Sequence, residues 1–561
     1  MAISSAPLGT QSFDPDTISA SSRGLSAGIY RDRDFRDHVL RDIYSARDRR
    51  IAPSHGFDLI PVLRHAWRAW WLETGQYLLT VVVLGIWLAT RPLDTLMALD
   101  LLVLGPLLQS RLRWFAESAG YGSHRDPASG RSEQIRDKNL HLRGVVLKRS
   151  LAWALGALVA LVLISIVSQG TRATASAWAA QTGLVIAAIF TTLIAIPVAA
   201  SVMRAWSATR LWSATVCERQ RLGKRMRNID HQQHHPFTVH SGFKPFLGSG
   251  KNMRSWSFAQ RLVHASVAGG QGAEFQIPPF TACTLVDRLR ERIGELRYEK
   301  NPETRLSGLD VADYVFVEGT RVGDMGAVLA AEPNSSAVTR AIAEAITNSG
   351  DAARHYLCAR VVSWGGEVVT SVFVHASLQG RTLYLEFATY ALLPIRSEYA
   401  VGKAGGTHGR KLGSEVFAAI VGLPAFLLET GRLARAPFTL WAAVRARHDR
   451  TPEAGRRSDI GAEFSIRETA MIEAPSKSED ESESSYFQFQ DIAQHSKIIE
   501  RRLIAAIEDY LEEVGVDSSE FVRRTTAILN NGIMNTGSGT ISVDSSAVGA
   551  NSTVLIQAEN G

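Results

Sequence analysis

Cysteine is scarce in this sequence. Its three cysteines, Cys217, Cys283 and Cys358, stand far apart among 561 residues, and none belongs to a CxxC motif. This spacing argues against both a disulfide framework and a thiolate zinc site. It is typical of a protein in a reducing compartment such as the cytosol.

Recognisable catalytic motifs are also missing. The sequence has no GxSxG, no HExxH and no pair of carboxylates at a useful catalytic spacing. The GSGK run at residues 248–251 resembles a phosphate loop, but Pro245 stands where the upstream glycine is required and Asn252 replaces the magnesium-binding Ser or Thr. We therefore expect no catalytic residue and no bound cofactor, and the sequence leans against an enzyme.

A histidine-rich run at residues 231–240 is the one candidate metal site, with His231, His234, His235 and His240. Imidazoles so close together can bind a metal. However, no carboxylate or cysteine completes a ligand set, and Pro236 interrupts the helical spacing. We predict that no metal binds here.

The N-terminus lacks the apolar core of a signal peptide. Residues 1–28 are rich in Ser, Gly and Thr, which is typical of disorder, and residues 29–58 alternate acidic and basic side chains around a helical apolar pattern. We interpret 1–60 as a disordered and charged cytosolic region, so membrane insertion has to use internal segments.

Long apolar runs are present, at residues 72–90, 93–109, 149–168 and 178–203. A helix needs about 20 apolar residues to cross a bilayer, and the last two runs meet this length easily. The predicted fold class is a membrane α-helical protein with four transmembrane helices, arranged as hairpins at 61–112 and 149–205, plus a cytosolic α+β domain.

Basic residues set the predicted topology. The net charge is +6, and Lys and Arg are concentrated in the loop at 113–148 and after residue 203. By the positive-inside rule these segments are cytoplasmic. The prediction is a multi-pass protein of the cell membrane with both termini in the cytoplasm. Its partner is the lipid bilayer, and no nucleic acid is expected.

Asp100 is the intramembrane polar candidate. A carboxylate inside a span often marks a transport pathway. Alternatively, the short second span ends early, and Asp100 lies near the interface or pairs with Arg91.

Residues 206–405 read as the cytosolic α+β domain. Helical periodicity covers 280–296 and 335–349, and a strand is predicted at 313–322. Residues 355–394 alternate apolar and polar side chains around turns at 365–366 and 379–381, which predicts an antiparallel meander.

The next two regions are predicted to be peripheral. Residues 406–448 form a basic interfacial segment, in which the apolar stretch 416–428 is interrupted by Pro424 and is too short for a fifth span. Glycines at 402–414 either form phosphate-binding nests or a flexible linker, and the latter is favoured. Residues 449–485 read as an acidic disordered linker.

Residues 486–529 are predicted to form amphipathic helices with a coiled-coil-like apolar stripe. The stripe packs on the protein's own domain or mediates self-association. The tail at 530–561 has almost no charge and is β-prone, so it assembles, docks on a protein partner or stays disordered. The self-assembly candidates are Ile492, Ile499, Leu503, Ile507, Ile533, Ile541, Val543, Val554 and Ile556.

Two segments carry a resemblance to known proteins. Residues 245–259, followed by the strand-rich stretch that ends at 391–399, resemble a family of uncharacterised actinobacterial multi-pass membrane proteins. Residues 514–549 resemble a Gly/Asn/Ser-rich C-terminal tail that recurs in such bacteria. The tail also resembles bacterial amyloid-signalling motifs, although it lacks their tighter glycine-asparagine pattern. The resemblance implies no activity, substrate or catalytic residue.

Together these features predict a self-associating sensor or effector scaffold in the membrane, a homo-oligomer with a large cytosolic region. The alternative is a channel or transporter that uses Asp100 and the hairpins. An enzyme within residues 229–405 comes third, since it would need a pocket with converging titratable groups.

Overall fold

The chain divides into two compact units, each assembled from separated parts of the sequence. One contains Met1–Ala66, Leu211–Val401 and Ala442–Gly561, and the other contains Trp67–Arg210 and Gly402–Trp441. A computed structural model describes residues 19–46, 49–99, 174–211, 222–241, 244–265, 274–319, 325–348, 353–399, 422–447, 464–472 and 483–530.

A six-stranded mixed sheet forms the centre of the first unit. Its strand order is β1-β3-β4-β5-β6-β2, with β1 parallel to β3 and every other pair antiparallel. The antiparallel meander predicted for 355–394 corresponds to β4, β5 and β6. The strands are β1 (Phe237–His240), β2 (Lys251–Arg261), β3 (Leu309–Glu318), β4 (Ala353–Ser363), β5 (Val368–Gln379) and β6 (Thr382–Leu392).

The described residues also contain thirteen α-helices. Two of the predicted helices correspond to α6 and α8, and Ser335 caps α8 by accepting a hydrogen bond from the Val338 N–H. The helices are α1 (Ala20–Arg31), α2 (Arg33–His38), α3 (Leu59–Thr90), α4 (Thr174–Arg210), α5 (Lys224–Gln233), α6 (Ala282–Gly294), α7 (Gly326–Ala330), α8 (Ser336–Thr347), α9 (Leu423–Glu429), α10 (Ala436–Arg447), α11 (Ile466–Ala470), α12 (Glu483–Glu513) and α13 (Ser519–Asn530).

One face of the sheet is covered by helices. Side chains of α6 such as Leu285 and Leu289 pack with Leu503 of α12 and with the apolar positions of β4, β5 and β6. Successive residues of a strand point to opposite faces, so every second residue of these strands joins this core. The apolar face of α12 is thus buried within the chain that carries it.

The opposite face of the sheet carries an aromatic cluster. Phe246 lies at its centre, with its ring 4.8 Å from Phe373, 4.9 Å from Phe316 and 5.1 Å from Tyr356 between centroids. Edge and tilted contacts at these distances are favourable for aromatic rings. The turn at 246–250 is therefore held against the sheet.

The N-terminal region differs from the disordered segment expected from its composition. Helix α1 begins within it, and Leu25 and Ile29 are buried. The small residues serve close packing, because a Cβ added at Gly28 would lie 2.6 Å from the Tyr399 ring. A composition rich in Ser and Gly thus marks tight helix packing here.

The expected acidic linker at 449–485 also contains ordered structure. Within it the structure describes residues 464–472 and the first residues of α12, and α11 buries Ile466, Arg467 and Ala470. Backbone hydrogen bonds hold this stretch to the end of β6, from the Ile472 N–H to Pro394 O at 2.9 Å and from the Arg396 N–H to Ala470 O at 3.1 Å. The linker prediction rested on the acidic, Ser-rich run at 476–485, which lies beyond this docked stretch.

The second unit contains two long apolar helices. By length and composition alone, Leu59–Thr90 and Gln181–Ala208 are long and apolar enough to cross a membrane. They correspond to the first and fourth predicted spans. Residues 149–168 and nearly all of 93–109, Asp100 included, lie outside the described residues, so four spans and a topology remain predictions.

Candidate functional site

The strongest candidate site is a cluster of polar side chains on the aromatic face of the sheet. Tyr314 of β3, Cys358 and Arg360 of β4 and Ser371 of β5 share this face through the strand alternation. The register sets Arg360 directly opposite Ser371 on one side and Asp310 on the other. We call this cluster, together with His55, the Arg360 niche.

The Arg360 guanidinium is the only buried charge of this niche. The residue is 9% exposed. Its Nη2 donates to the Tyr314 hydroxyl at 2.8 Å, and its guanidinium carbon lies 5.2 Å from the centre of the Tyr314 ring. The Nε atom is buried and has no hydrogen-bond partner among the described residues.

Burial lowers the pKa of Arg360, but Tyr314, Cys358 and Asp310 outweigh burial, so the pKa is raised and the guanidinium stays charged. None of these neighbours is a close and buried carboxylate. Among the described residues, the carboxylate within ion-pair distance is that of Asp310, 3.9 Å from Nη1, and the Asp310 side chain is 56% exposed. A carboxylate so exposed and so distant contributes little, because water screens the attraction. Burying a charge without a well-placed partner is costly.

The other members of the niche are neutral. Burial, reinforced by the Arg360 charge, lowers the pKa of His55 well below 6.5, and the His55 ring meets the Tyr314 ring edge-on at 5.7 Å. Burial raises the pKa of Cys358 to about 11, and it also raises the pKa of Tyr314. The Ser371 hydroxyl is fully buried and finds no oxygen or nitrogen partner among the described residues, and its interaction is a weak one with the Cys358 thiol.

This electrostatic arrangement limits the chemistry of the niche. A nucleophilic cysteine reacts as its thiolate, and a pKa near 11 keeps Cys358 a neutral thiol at physiological pH. The neighbouring hydroxyls and thiol can donate hydrogen bonds, and Arg360 supplies a positive charge. The niche can therefore stabilise negative charge, and Cys358 is not activated as a nucleophile.

In a second anion-binding arrangement, the bound anion is a side chain of the protein itself, the Glu468 carboxylate. The Glu468 Oε1 atom accepts hydrogen bonds from the backbone N–H groups of Gly248 at 2.7 Å and Gly250 at 2.9 Å. Both glycines have positive φ, and a Cβ at Gly250 would lie 2.2 Å from Ala391 O. The GSGK run, which lacks a phosphate-loop sequence, thus forms a backbone nest for a carboxylate.

The four described self-assembly candidates lie in the interior of the first unit. Each is 0% exposed, which matches the alternative that the stripe packs on the protein's own domain. Ile492 packs near Met253 and Val368, and the other three join the core under α6. Their role in self-association stays untested. These four are Ile492, Ile499, Leu503 and Ile507.

The remaining candidates lie outside the described residues. They are Asp100, Ile533, Ile541, Val543, Val554 and Ile556. Of the histidine run, His231 hydrogen-bonds Ala331 O through Nε2 at 3.0 Å, and the His235 Nδ1 accepts from the Phe237 N–H. Across the parts of the chain that the structure describes, no three His, Cys, Asp or Glu side chains gather to hold a metal.

The Arg360 niche was not predicted from the sequence, although β4 carries a signal for it. In β4, Arg354, Tyr356, Cys358 and Arg360 share the aromatic face, and Arg360 is the one arginine of this face that lies within the buried part of the strand, which is unusual. The contribution of His55 could not be predicted from the sequence, because His55 lies 305 residues before Arg360 and only the fold brings the two together.

The comparisons with known proteins assign a family. No curated protein and no solved structure matches this chain. The AbeC-like domain matches residues 255–543, which is slightly more than half of the 561 residues. The matched stretch runs from β2 through the strands of the niche, α11, α12 and α13 into the tail. The chain therefore belongs to the AbeC-like family.

Proposed function

We propose that this chain is a multi-pass protein of the cell membrane, with both termini cytoplasmic, that acts as a self-associating sensor or effector scaffold. The AbeC-like domain is its cytosolic part. The resemblance to actinobacterial membrane proteins belongs to the same proposal. The observation that carries the proposal is the apolar surface of α3 and α4.

The two helices expose their apolar side chains instead of burying them. Along α3, Leu78, Val82 and Ile86 are about half exposed, and Leu184 of α4 is 73% exposed. The core helix of a soluble protein would bury such residues, and a large exposed apolar patch marks a surface that another apolar medium covers. A lipid bilayer fits the length of both helices.

The packing of α3 against α4 also supports the proposal that both termini lie on the same side of the membrane. Arg204 Nη1 of α4 donates to Gln76 Oε1 of α3 at 3.2 Å, and Trp87 Nε1 of α3 donates to Thr192 Oγ1 of α4 at 3.3 Å. As α3 advances from 76 to 87, its partner positions in α4 decrease from 204 to 192. The helices are therefore antiparallel, as the first and last of an even number of spans would be.

Polar residues gather where an interface is expected. The Tyr77 hydroxyl lies 2.9 Å from Glu73 Oε1 and 3.2 Å from Glu429 Oε2, and the Tyr77 ring stacks on Phe426 at 5.5 Å. Glu73 stands at the start of the apolar run 72–90, and charged groups are tolerated at the end of a membrane span. This arrangement favours an interfacial position for α9, in the segment that the sequence assigns to the membrane surface.

Membrane integration is tested by extraction and flotation. Membranes that contain the full chain are extracted with alkaline carbonate and floated on a density gradient, and the protein should remain with the lipid. Release into the soluble fraction would contradict membrane integration.

Self-association is tested separately by particle mass. The detergent-purified full chain is compared with a chain that ends at Leu529, and a large assembly that collapses on truncation places clustering in the tail. Equal masses for the full and the truncated chain would contradict self-assembly through the tail.

A further inference from the structure

We propose that the Arg360 niche binds a small oxyanion, namely the carboxylate or phosphoryl group of a small molecule. The site is distinct from the scaffold role and does not depend on it. The ligand compensates the buried guanidinium charge and accepts hydrogen bonds that no described residue accepts.

The buried charge of Arg360 favours an anionic ligand. Arg360 is nine-tenths buried, and its described acidic neighbour is the half-exposed Asp310 at 3.9 Å. His55, Cys358 and Tyr314 are all held in neutral forms, so they cannot compensate it. An anion placed against the guanidinium removes most of the cost of burying it.

The niche also contains buried hydrogen-bond donors that lack strong acceptors. Arg360 Nε is buried without a partner among the described residues, and the buried Ser371 hydroxyl has only the weak acceptor Cys358 Sγ beside it. The two residues face each other across neighbouring strands. Directly opposite side chains of an antiparallel pair start about 5 Å apart, so one acceptor can reach both. The Tyr314 hydroxyl accepts from Arg360 Nη2 and can give its own hydrogen to a second oxygen of the ligand.

The surroundings of the niche limit the size and type of the ligand. His55 and Phe246, 3% and 8% exposed, pack on this face of the sheet, His55 against the Tyr314 ring and Phe246 among the neighbouring aromatic residues. A site beside such buried side chains suits a small ion better than a nucleotide or a polymer. The planar fork of arginine matches the paired oxygens of a carboxylate or phosphate better than a spherical halide.

The test measures thermal unfolding of the detergent-purified full chain at constant ionic strength, while sodium chloride is replaced by sodium phosphate or sodium acetate. The expected result is a saturable rise of the unfolding midpoint with at least one of the two oxyanions. The two salts distinguish a phosphoryl ligand from a carboxylate ligand. Absence of any saturable rise over chloride with either salt would overturn the proposal.

The matched variants are Arg360→Met and Arg354→Met, which each remove one positive charge from β4. Arg354 is exposed on the same strand face, so its variant should keep the oxyanion response, whereas Arg360→Met should lose it. An equal response in both variants would locate the anion elsewhere and overturn the proposal.

Ser371→Ala provides an independent measurement if Arg360→Met does not fold. Loss of one hydrogen bond to a charged ligand should raise the apparent dissociation constant about 10-fold, with the total charge unchanged. An unaltered dissociation constant would exclude Ser371 from the site and contradict the proposed geometry.

Discussion

The Glu468 carboxylate accepts a hydrogen bond from the Gly250 backbone N–H at 2.9 Å, across 218 positions of sequence. The same oxygen accepts from Gly248. Burial raises the pKa of Glu468, and these two N–H groups oppose that shift. The contact joins the turn before β2 to α11, and the stability of this junction should depend on the acceptor oxygen more than on the charge.

Glu468→Ala should destabilise the protein by about 2 kcal/mol, because it leaves two N–H groups without their acceptor. Glu468→Gln keeps an acceptor oxygen and should be close to neutral. Thermal unfolding of both variants checks this expectation, with Glu344→Gln on the surface of α8 as the control. Equal losses for Ala and Gln would show instead that the negative charge stabilises the turn.

Arg360→Met should be no less stable than the wild type in a buffer that contains chloride as its only anion. Replacing a buried charge that lacks a close partner with an apolar side chain of similar length is often neutral or stabilising. The unfolding midpoint measures this directly. A loss above about 3 kcal/mol would mean that the hydrogen bond to Tyr314 and the distant Asp310 already satisfy the guanidinium.

Tyr77→Phe should loosen α9 without disturbing the rest of the second unit. The variant keeps the ring that stacks on Phe426 and loses the hydroxyl near Glu73 and Glu429, at a cost of about 1 kcal/mol. Hydrogen exchange of residues 423–429 in detergent should become faster. The exposed Tyr486 provides a matched control as Tyr486→Phe, and unchanged exchange in Tyr77→Phe would contradict a holding role for the hydroxyl.

Acid should destabilise the first unit through His235. Burial, with His231 and Arg50 nearby, lowers the pKa of His235 from 6.5 to about 4, and its Nδ1 accepts from the Phe237 N–H. Between these two values the unfolded chain binds the proton and the folded chain does not, so stability falls as the pH drops from about 6.5 to 4.

His235→Asn keeps a hydrogen-bond acceptor and removes the titration, so the pH dependence of the unfolding midpoint should become shallower over that range. The exposed neighbour His234 serves as the control in His234→Asn. If the two variants have equal slopes, His235 does not carry this part of the acid sensitivity.

Several elements were predictable because local patterns encode them. The alternation and paired glycines at 365–366 predicted the meander that β4, β5 and β6 form, and Ser335 marked the start of α8. The apolar runs at 72–90 and 178–203 predicted two long helices that occur as α3 and α4. These signals depend on residues close in sequence, so they can be read before the fold is known.

The sequence determined the identity of the strands, of the amphipathic stripe in α12 and of the long apolar helices, since periodicity and length suffice for them. Only the tertiary structure decided that the stripe lies in the protein's own core. An apolar stripe has the same sequence pattern whether it packs on another chain or on its own chain. The tertiary structure also decided that α1 and α11 are packed, and that His55 meets Tyr314 beside Arg360. Those contacts join residues hundreds of positions apart, and their energy comes from burial and charge that exist only once the chain has folded.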